Sequence, residues 1–433
     1  MKREINVNFG NLLDDIKIPK MYAVRQNFEK RRIENIQEET RKQLETVFGE
    51  TDFAGKKIAV TAGSRGISHS VEILRTILDF LKEKGAKPFI VPSMGSHGGG
   101  TMQGQLDVLS HLGITPESMG VPFEPSMETV ELGNLSCGLP VYFSKEAYES
   151  DGVFIMNKVK PHADFKGEHE SGLVKMLAIG LGKHRGCASL HKLGFANFPW
   201  ALPEAAELIL EKAPIIGGIG IVENAYDEPM ILEAVPAACI MERDKELLKL
   251  AKKNMPKIKA RKLDVLVIDE IGKNISGEGM DPNVTGRPGS YLNEGFDSIQ
   301  IKQIVILGTT PETAGNGAGI GMADITTVNC VRGLDLGVMY TNSITAGILG
   351  PSRLPVILNS DLEAIKTAIM LTSSLAEDKV KVMRIKNTLN LDEVWVSEAL
   401  KMEYEQMEDA EILGEVELSF DTEEKMSRSF AHQ

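Results

Sequence analysis

Among 433 residues there are only four cysteines and two tryptophans, and Lys and Arg never occur five in a row. The cysteines, Cys137, Cys187, Cys239 and Cys330, stand 50 or more residues apart, with no CxxC pair and no neighbouring histidine set. That excludes a small disulfide-stapled fold and gives no spacing for zinc or iron–sulfur ligation; buried thiols in a reducing compartment are expected. The missing basic run, with a net charge of −13, argues against nucleic acid as a partner. The longest apolar stretches, such as Ala213 to Val222, are far short of the ~20 residues a membrane span needs. The opening Met1-Lys2-Arg3-Glu4-Ile5-Asn6 leads into no apolar signal segment. A cytoplasmic protein is expected. Neither the G-x-G-x-x-G dinucleotide fingerprint nor a Walker loop is present.

What remains is ordinary globular composition, 42% hydrophobic and 25% charged, in a chain long enough for two or three domains. Charged helical sequence is read from about Arg25 to Phe48. Lys57 to Gly63 reads as a buried strand ending in a Gly turn, Ser68 to Lys84 as a helix, and Phe89 to Pro92 as the next strand. Strand, helix and strand in that order form a right-handed crossover of a parallel sheet, whose ligand-binding loops lie at the carboxyl ends of the strands. A third strand, Gly152 to Met156, opens into a loop containing Pro161-His162, then a helix-like segment from about Ser171 to His191. A polar, basic stretch near Lys257 to Lys262 reads as a boundary. The expectation is an α/β protein of two Rossmann-like domains with parallel-sheet cores flanking an interdomain cleft. Residues 1–262 form the catalytic and cofactor-binding domain, 263–395 the second α/β domain, and 396–433 a segment returning to the first.

The three strand ends carry Gly63-Ser64-Arg65-Gly66, the loop from Ser93 to Thr101 with His97 and Gly98-Gly99-Gly100, and His162. Imidazole exchanges a proton near neutral pH, the planar fork of Arg65 suits a carboxylate, and the glycines allow an anion close to the backbone. Five of the eight histidines, His97, His162, His169, His184 and His191, lie in or beside these loops.

In this order the residues resemble the nickel-dependent lactate racemase family, which uses a nickel-pincer nucleotide to racemise or epimerise 2-hydroxy acids. Ser64-Arg65-Gly66 is similar to the family's Thr-Arg-Pro turn, and Gly95-Ser96-His97 to its Gly-Thr-His segment. Pro161-His162 followed by Gly172-Leu173-Val174-Lys175 resembles its Pro-His loop and Gly-Gly-Arg-Lys. His191 stands 16 residues after Lys175, the family's separation between cofactor-bearing Lys and nickel-binding His. The match runs over roughly residues 5 to 200. The resemblance implies that Lys175 carries the cofactor through a thioamide and that His191 ligates nickel, with Ser64 and Gly98 also at the cofactor. It further implies that His97 and His162 serve as acid/bases for opposite hands, and that Arg65 holds the carboxylate. Partners would be a small 2-hydroxy acid and the proteins that build the cofactor; the oligomeric state is not read from sequence.

Ala62 stands where the family places an Asp, and the loop from Gly272 to Arg287 only loosely corresponds to the family's substrate loop. Its polar character would suit a substrate with extra hydroxyls, such as a sugar acid. His169, with Glu170, is the alternative to His162 as second acid/base. Two other functions stay open: a NAD-dependent 2-hydroxyacid dehydrogenase, against which the missing fingerprint counts, and a non-catalytic nickel- or nucleotide-binding protein.

Overall fold

A computed structural model describes residues 9–64, 66–296, 299–372 and 379–430. The chain divides into two compact units. Residues 29–255 form one; the chain before Glu29 and that from Pro256 onward form the other. The first described strand, β1 (Met21–Gln26), occupies the start of the expected helix. The helix begins only at Ile36 and runs to Phe48, capped where the Asn35 side chain accepts the Glu38 N–H at 3.0 Å. Non-local pairing decides this: β1 is hydrogen-bonded on both edges by strands from the end of the chain.

The unit of residues 29–255 is built on β2 (Lys57–Ala62), β3 (Lys87–Pro92), a separate hairpin of β4 (Thr129–Asn134) and β5 (Pro140–Ser144), then β6 (Gly152–Lys158), β7 (Ile215–Glu223) and β8 (Pro229–Pro236). Its main sheet has the order β3-β2-β6-β7-β8, parallel except for β8. The central strands are continuous apolar runs because both faces are covered. Phe154 and Met156 of β6 face helices Ile36–Phe48 and Ser70–Glu83, while Val153 and Ile155 face helix Phe198–Lys212 and the segment around Leu177. The period of two along one strand thus feeds two cores.

The other unit contains β1, β9 (Lys262–Ile268), β10 (Gln300–Ile306), β11 (Ile325–Thr327), β12 (Val356–Leu358), β13 (Val382–Ile385), β14 (Glu393–Ser397) and β15 (Ala410–Val416). Their order is β12-β11-β10-β9-β13-β14-β1-β15; the first five are parallel and the rest antiparallel. Arg384 of β13 and Asp269, just after β9, form a buried bidentate pair at 3.0 and 2.7 Å. Trp395 and Phe430 lie over the guanidinium at 4.5 and 4.4 Å.

These units differ from the expected domains. The breaks fall at 28/29 and 255/256 rather than 262/263, and the segment from 396 stays with the second unit. There β15 pairs with β1, and the Ser427 carbonyl accepts from Arg384 at 2.7 Å. Composition marks a linker, but only strand pairing shows which unit owns a terminal segment. Among the described residues no helix is long and apolar enough to cross a membrane.

Candidate functional site

In the 29–255 unit the strand order reverses between β2 and β6, so the loops leaving their carboxyl ends, with that leaving the adjacent β3, diverge around a crevice suited to ligands. These are the loops that carry Ser64, His97 and His162. Arg65 lies outside the described residues.

His97 is exposed. Its Nδ1 is hydrogen-bonded to the Ser64 hydroxyl, which ties the β3 loop to the β2 loop. Below it, fully buried Gln105 donates from Nε2 to the carbonyls of Gly95 at 3.0 Å and His97 at 3.4 Å. Gly98 has φ +65°, and a Cβ there would lie 2.4 Å from the backbone of Gly104, so the loop folds directly onto the first turn of helix Met102–His111. Ser64 and Gly98, expected at the cofactor, are thus both engaged in shaping the His97 loop. Gln105 carried no sequence signal; a buried Gln beneath a Gly-rich loop becomes visible only once the helix folds back.

The β6 loop is closed by a two-residue bridge in which Lys160 and Ser171 exchange N–H···O bonds of 2.8 and 3.2 Å. Inside it, buried Glu170 accepts the His162 N–H at 2.6 Å and pairs with Lys252 at 2.6 Å. The Nδ1 of His162 accepts the backbone N–H of Asp164 at 3.0 Å, and its ring lies 4.4 Å from that of Phe165. Burial first, then the charges of Lys175, Lys166, His191 and Lys160, hold its pKa well below the ordinary imidazole value. His169 is directed elsewhere: its Nδ1 meets Asp244 Oδ2 at 2.9 Å in a buried pair.

The expected helix from Ser171 to His191 is broken. A turn at Leu173–Lys175 runs into a π-helical turn, Met176–Gly180, and a separate helix spans Lys183–His191. Lys183 sits at φ +55°, wholly buried, its Nζ donating to the Pro92 carbonyl at 2.8 Å. π-Turns widen a helix locally and recur at functional sites. Here the turn follows Lys175, which is half-buried and whose charge acts on both His162 and His191.

His191, at the end of its helix, has Nδ1 2.8 Å from the Cys187 carbonyl and 3.5 Å from its Sγ. A carbonyl only accepts, so Nδ1 carries a proton, and in the neutral ring Nε2 keeps its lone pair. Burial acts to lower the His191 pKa, but the Cys187 thiol beside it reverses the shift and the net displacement is upward. Cys187 also approaches the Ser96 hydroxyl at 3.6 Å, and Phe195 stands 5.5 Å from His191 and 5.8 Å from His162 by ring centres. One continuous set of contacts therefore links the His97 loop, His191 and His162. Among the described residues no three His, Cys, Asp or Glu side chains gather as a metal-binding group.

The loop from Gly272 to Arg287 belongs to the other unit. Lys273 donates to the Gly277 carbonyl at 2.5 Å, Thr310 to Asn274 at 2.6 Å, and Arg287 pairs with Asp324 at 2.6 Å. These contacts lie within that unit.

No protein-family model and no curated protein matches the chain. Its fold is that of an α/β protein of the kind solved for a racemase. The lactate racemase apoprotein from Thermoanaerobacterium thermosaccharolyticum matches at a TM-score of 0.51 over 90% of this chain and 97% of that one, with 13% sequence identity.

Proposed function

We propose that the chain is an isomerase, a racemase or epimerase that inverts the α-carbon of a 2-hydroxy acid with a nickel-pincer nucleotide. Its support is the continuous contact set from Ser64 and His97 through Cys187 and His191 to Phe195 and His162, beside Lys175.

The residues fit such a group. It needs one imidazole nitrogen and one amine from the protein, and the Nδ1–H of His191 directed at the Cys187 carbonyl leaves Nε2 as the donor atom. Lys175 would hold the ring covalently and His191 its nickel, through a nitrogen donor suited to Ni(II). When bound, the cofactor accepts and returns the hydride of the α-carbon. The chain supplies the rest: His97 and His162 would exchange the hydroxyl proton from opposite sides, one for each hand of the substrate. Arg65 holds the carboxylate so that the α-hydrogen stays in line. The apolar wall of Phe165, Phe195 and Phe198 limits water. The cofactor-building proteins act as partners, and the reaction takes place in the cytoplasm.

The test is the full chain loaded by those biosynthetic proteins, incubated with single hands of 2-hydroxy acids from lactate to sugar acids and read by chiral chromatography. Inversion of at least one acid without added NAD is expected. No inversion by a chain whose mass shows the adduct on Lys175 overturns the reading, and turnover only with NAD points to a dehydrogenase.

A further inference from the structure

We infer that helix Leu336–Ala346 is the contact face of a homodimer, its exposed ridge packing into the groove of the same helix on a second copy of the chain. This is independent of the reaction proposed above.

The helix lies in the second unit and is only narrowly docked on it. Of its eleven residues, Met339 and Ser343 alone are buried. Ser343 is hydrogen-bonded to Ser352 at 2.5 Å, and Asn342 accepts from Asn316 at 3.1 Å, so one stripe holds the helix down. The rest meets solvent without being polar. From Leu336 to Ser352 no residue is charged, in a chain with 25% charged residues. Among the described residues fifteen large hydrophobic side chains are exposed, and seven of them fall within residues 336–356. Single exposed hydrophobics are ordinary, but this concentration marks a surface that another surface covers. It continues past the helix through Leu349 to Val356. Val356 belongs to β12, the outermost strand of its sheet, and apolar edge strands are normally covered or blunted.

The shape of the helix points to the same chain as partner. Leu336, Tyr340 and Ile344, four residues apart and all exposed, form one ridge along it. Beside that ridge run Gly337, Thr341 and Thr345, small exposed residues that leave a groove. Ridge and groove on one copy complement groove and ridge on a copy related by a two-fold axis. In that packing both helices use their four-residue rows and cross at about −50°. The charges agree with the shape. Two copies of net charge −13 repel, and an uncharged face is where they can approach. The nearest charged residues along the chain are Asp335 at the start of the helix and Arg353 beyond its end, both exposed. The Asp335 carboxylate accepts the Val338 N–H at 3.1 Å and so stays at the helix N-terminus. An antiparallel pair therefore sets the acidic end of each helix toward the basic end of the other.

The test is sedimentation of the full chain from about 1 to 100 µM, the range in which a small interface associates. The parent is expected to approach twice the mass of one chain. Gly337→Leu fills the groove. Within one chain a Cβ at Gly337 meets only the Asp335 carboxylate, at 3.2 Å, and Leu is the better helix former. The variant should therefore melt no lower than the parent while its dimer weakens by about 10-fold or more. Tyr340, at the middle of the ridge, lies nearest the axis, so Tyr340→Lys and Tyr340→Asp should each be monomeric and should associate when mixed. A parent that stays monomeric throughout overturns the proposal and leaves the face to a different partner. So does a Gly337→Leu or Tyr340→Lys chain that dimerises as strongly as the parent. A mixture of the two Tyr340 variants that stays monomeric overturns the two-fold pairing.

Discussion

Asp244 uses its two carboxylate oxygens on different partners: Oδ2 meets His169 Nδ1 at 2.9 Å, and Oδ1 accepts the Leu173 N–H at 2.6 Å. Asp244 sits on helix Ile240–Asn254, so this one side chain ties that helix to the segment entering Lys175. His169 is thereby a scaffold residue, and the choice between it and His162 as the group at the site favours His162. Asp244→Ala leaves a buried imidazole and two backbone donors without their acceptor. A loss of about 3–5 kcal/mol is expected, read as a lower urea midpoint at unchanged slope. A midpoint equal to that of the parent would show that the contact carries no stability.

Buried Lys183 has its pKa pushed down to about 8, because desolvation disfavours the ammonium. The unfolded side chain titrates near 10.5. Between these values the unfolded chain binds more protons than the folded one, so stability rises with pH across that window. Below about 8 the full cost of the buried charge is present; above 10.5 it is gone. Compared with Lys183→Met, the parent should gain on the order of 3 kcal/mol between pH 7.5 and 10.5. Cys330, whose thiol burial raises to about 11, works in the opposite direction but is common to both chains and cancels in the comparison. Parallel stability curves for the two proteins would contradict the assignment.

Gly98 and Gly99 share a left-handed backbone, but only Gly98 has no room for a methyl group. Gly99→Ala should cost about 1–2 kcal/mol from backbone strain alone. Gly98→Ala should cost more, since its Cβ meets the Gly104 backbone at 2.4 Å, and should displace His97 as well. Thermal melts of the two variants check the order; equal losses would mean that the loop relaxes away from its helix.

Lys175→Arg and His191→Asn separate covalent attachment from metal retention. In a chain loaded by the biosynthetic proteins, Lys175→Arg should show no mass adduct. His191→Asn should keep the adduct but lose nickel by at least 10-fold on dialysis against a chelator, as measured by metal analysis. Nickel retained in full by His191→Asn would remove that residue from the metal site.

Much of the first unit was legible in the sequence because its signals are local. Lys57-Ile58-Ala59-Val60-Thr61-Ala62 and Lys87-Pro88-Phe89-Ile90-Val91-Pro92 are apolar runs between turn residues, and burial on both faces needs that composition whatever the partner strand. The positions of His97 and His162 at strand ends follow from the same pattern. What a continuous periodicity could not reveal was the π-turn at Met176–Gly180. The residues there are good helix formers, and the widening is decided by what packs against them, including Ser93, which leaves no space for a Cβ at Gly180.

The sequence alone determined the alternation of strands and helices, the residue types at the strand ends and the separation of Lys175 from His191, all properties of neighbours along the chain. Tertiary structure decided that Met21–Gln26 joins β14 and β15, that Asp244 holds His169, and that Gln105 underlies His97. It also decided that the Asp164 amide lies 3.0 Å from His162 Nδ1, two residues on. Backbone hydrogen bonds and buried polar contacts must be satisfied wherever the folded chain places them, and those partners carry no periodicity that composition or spacing records.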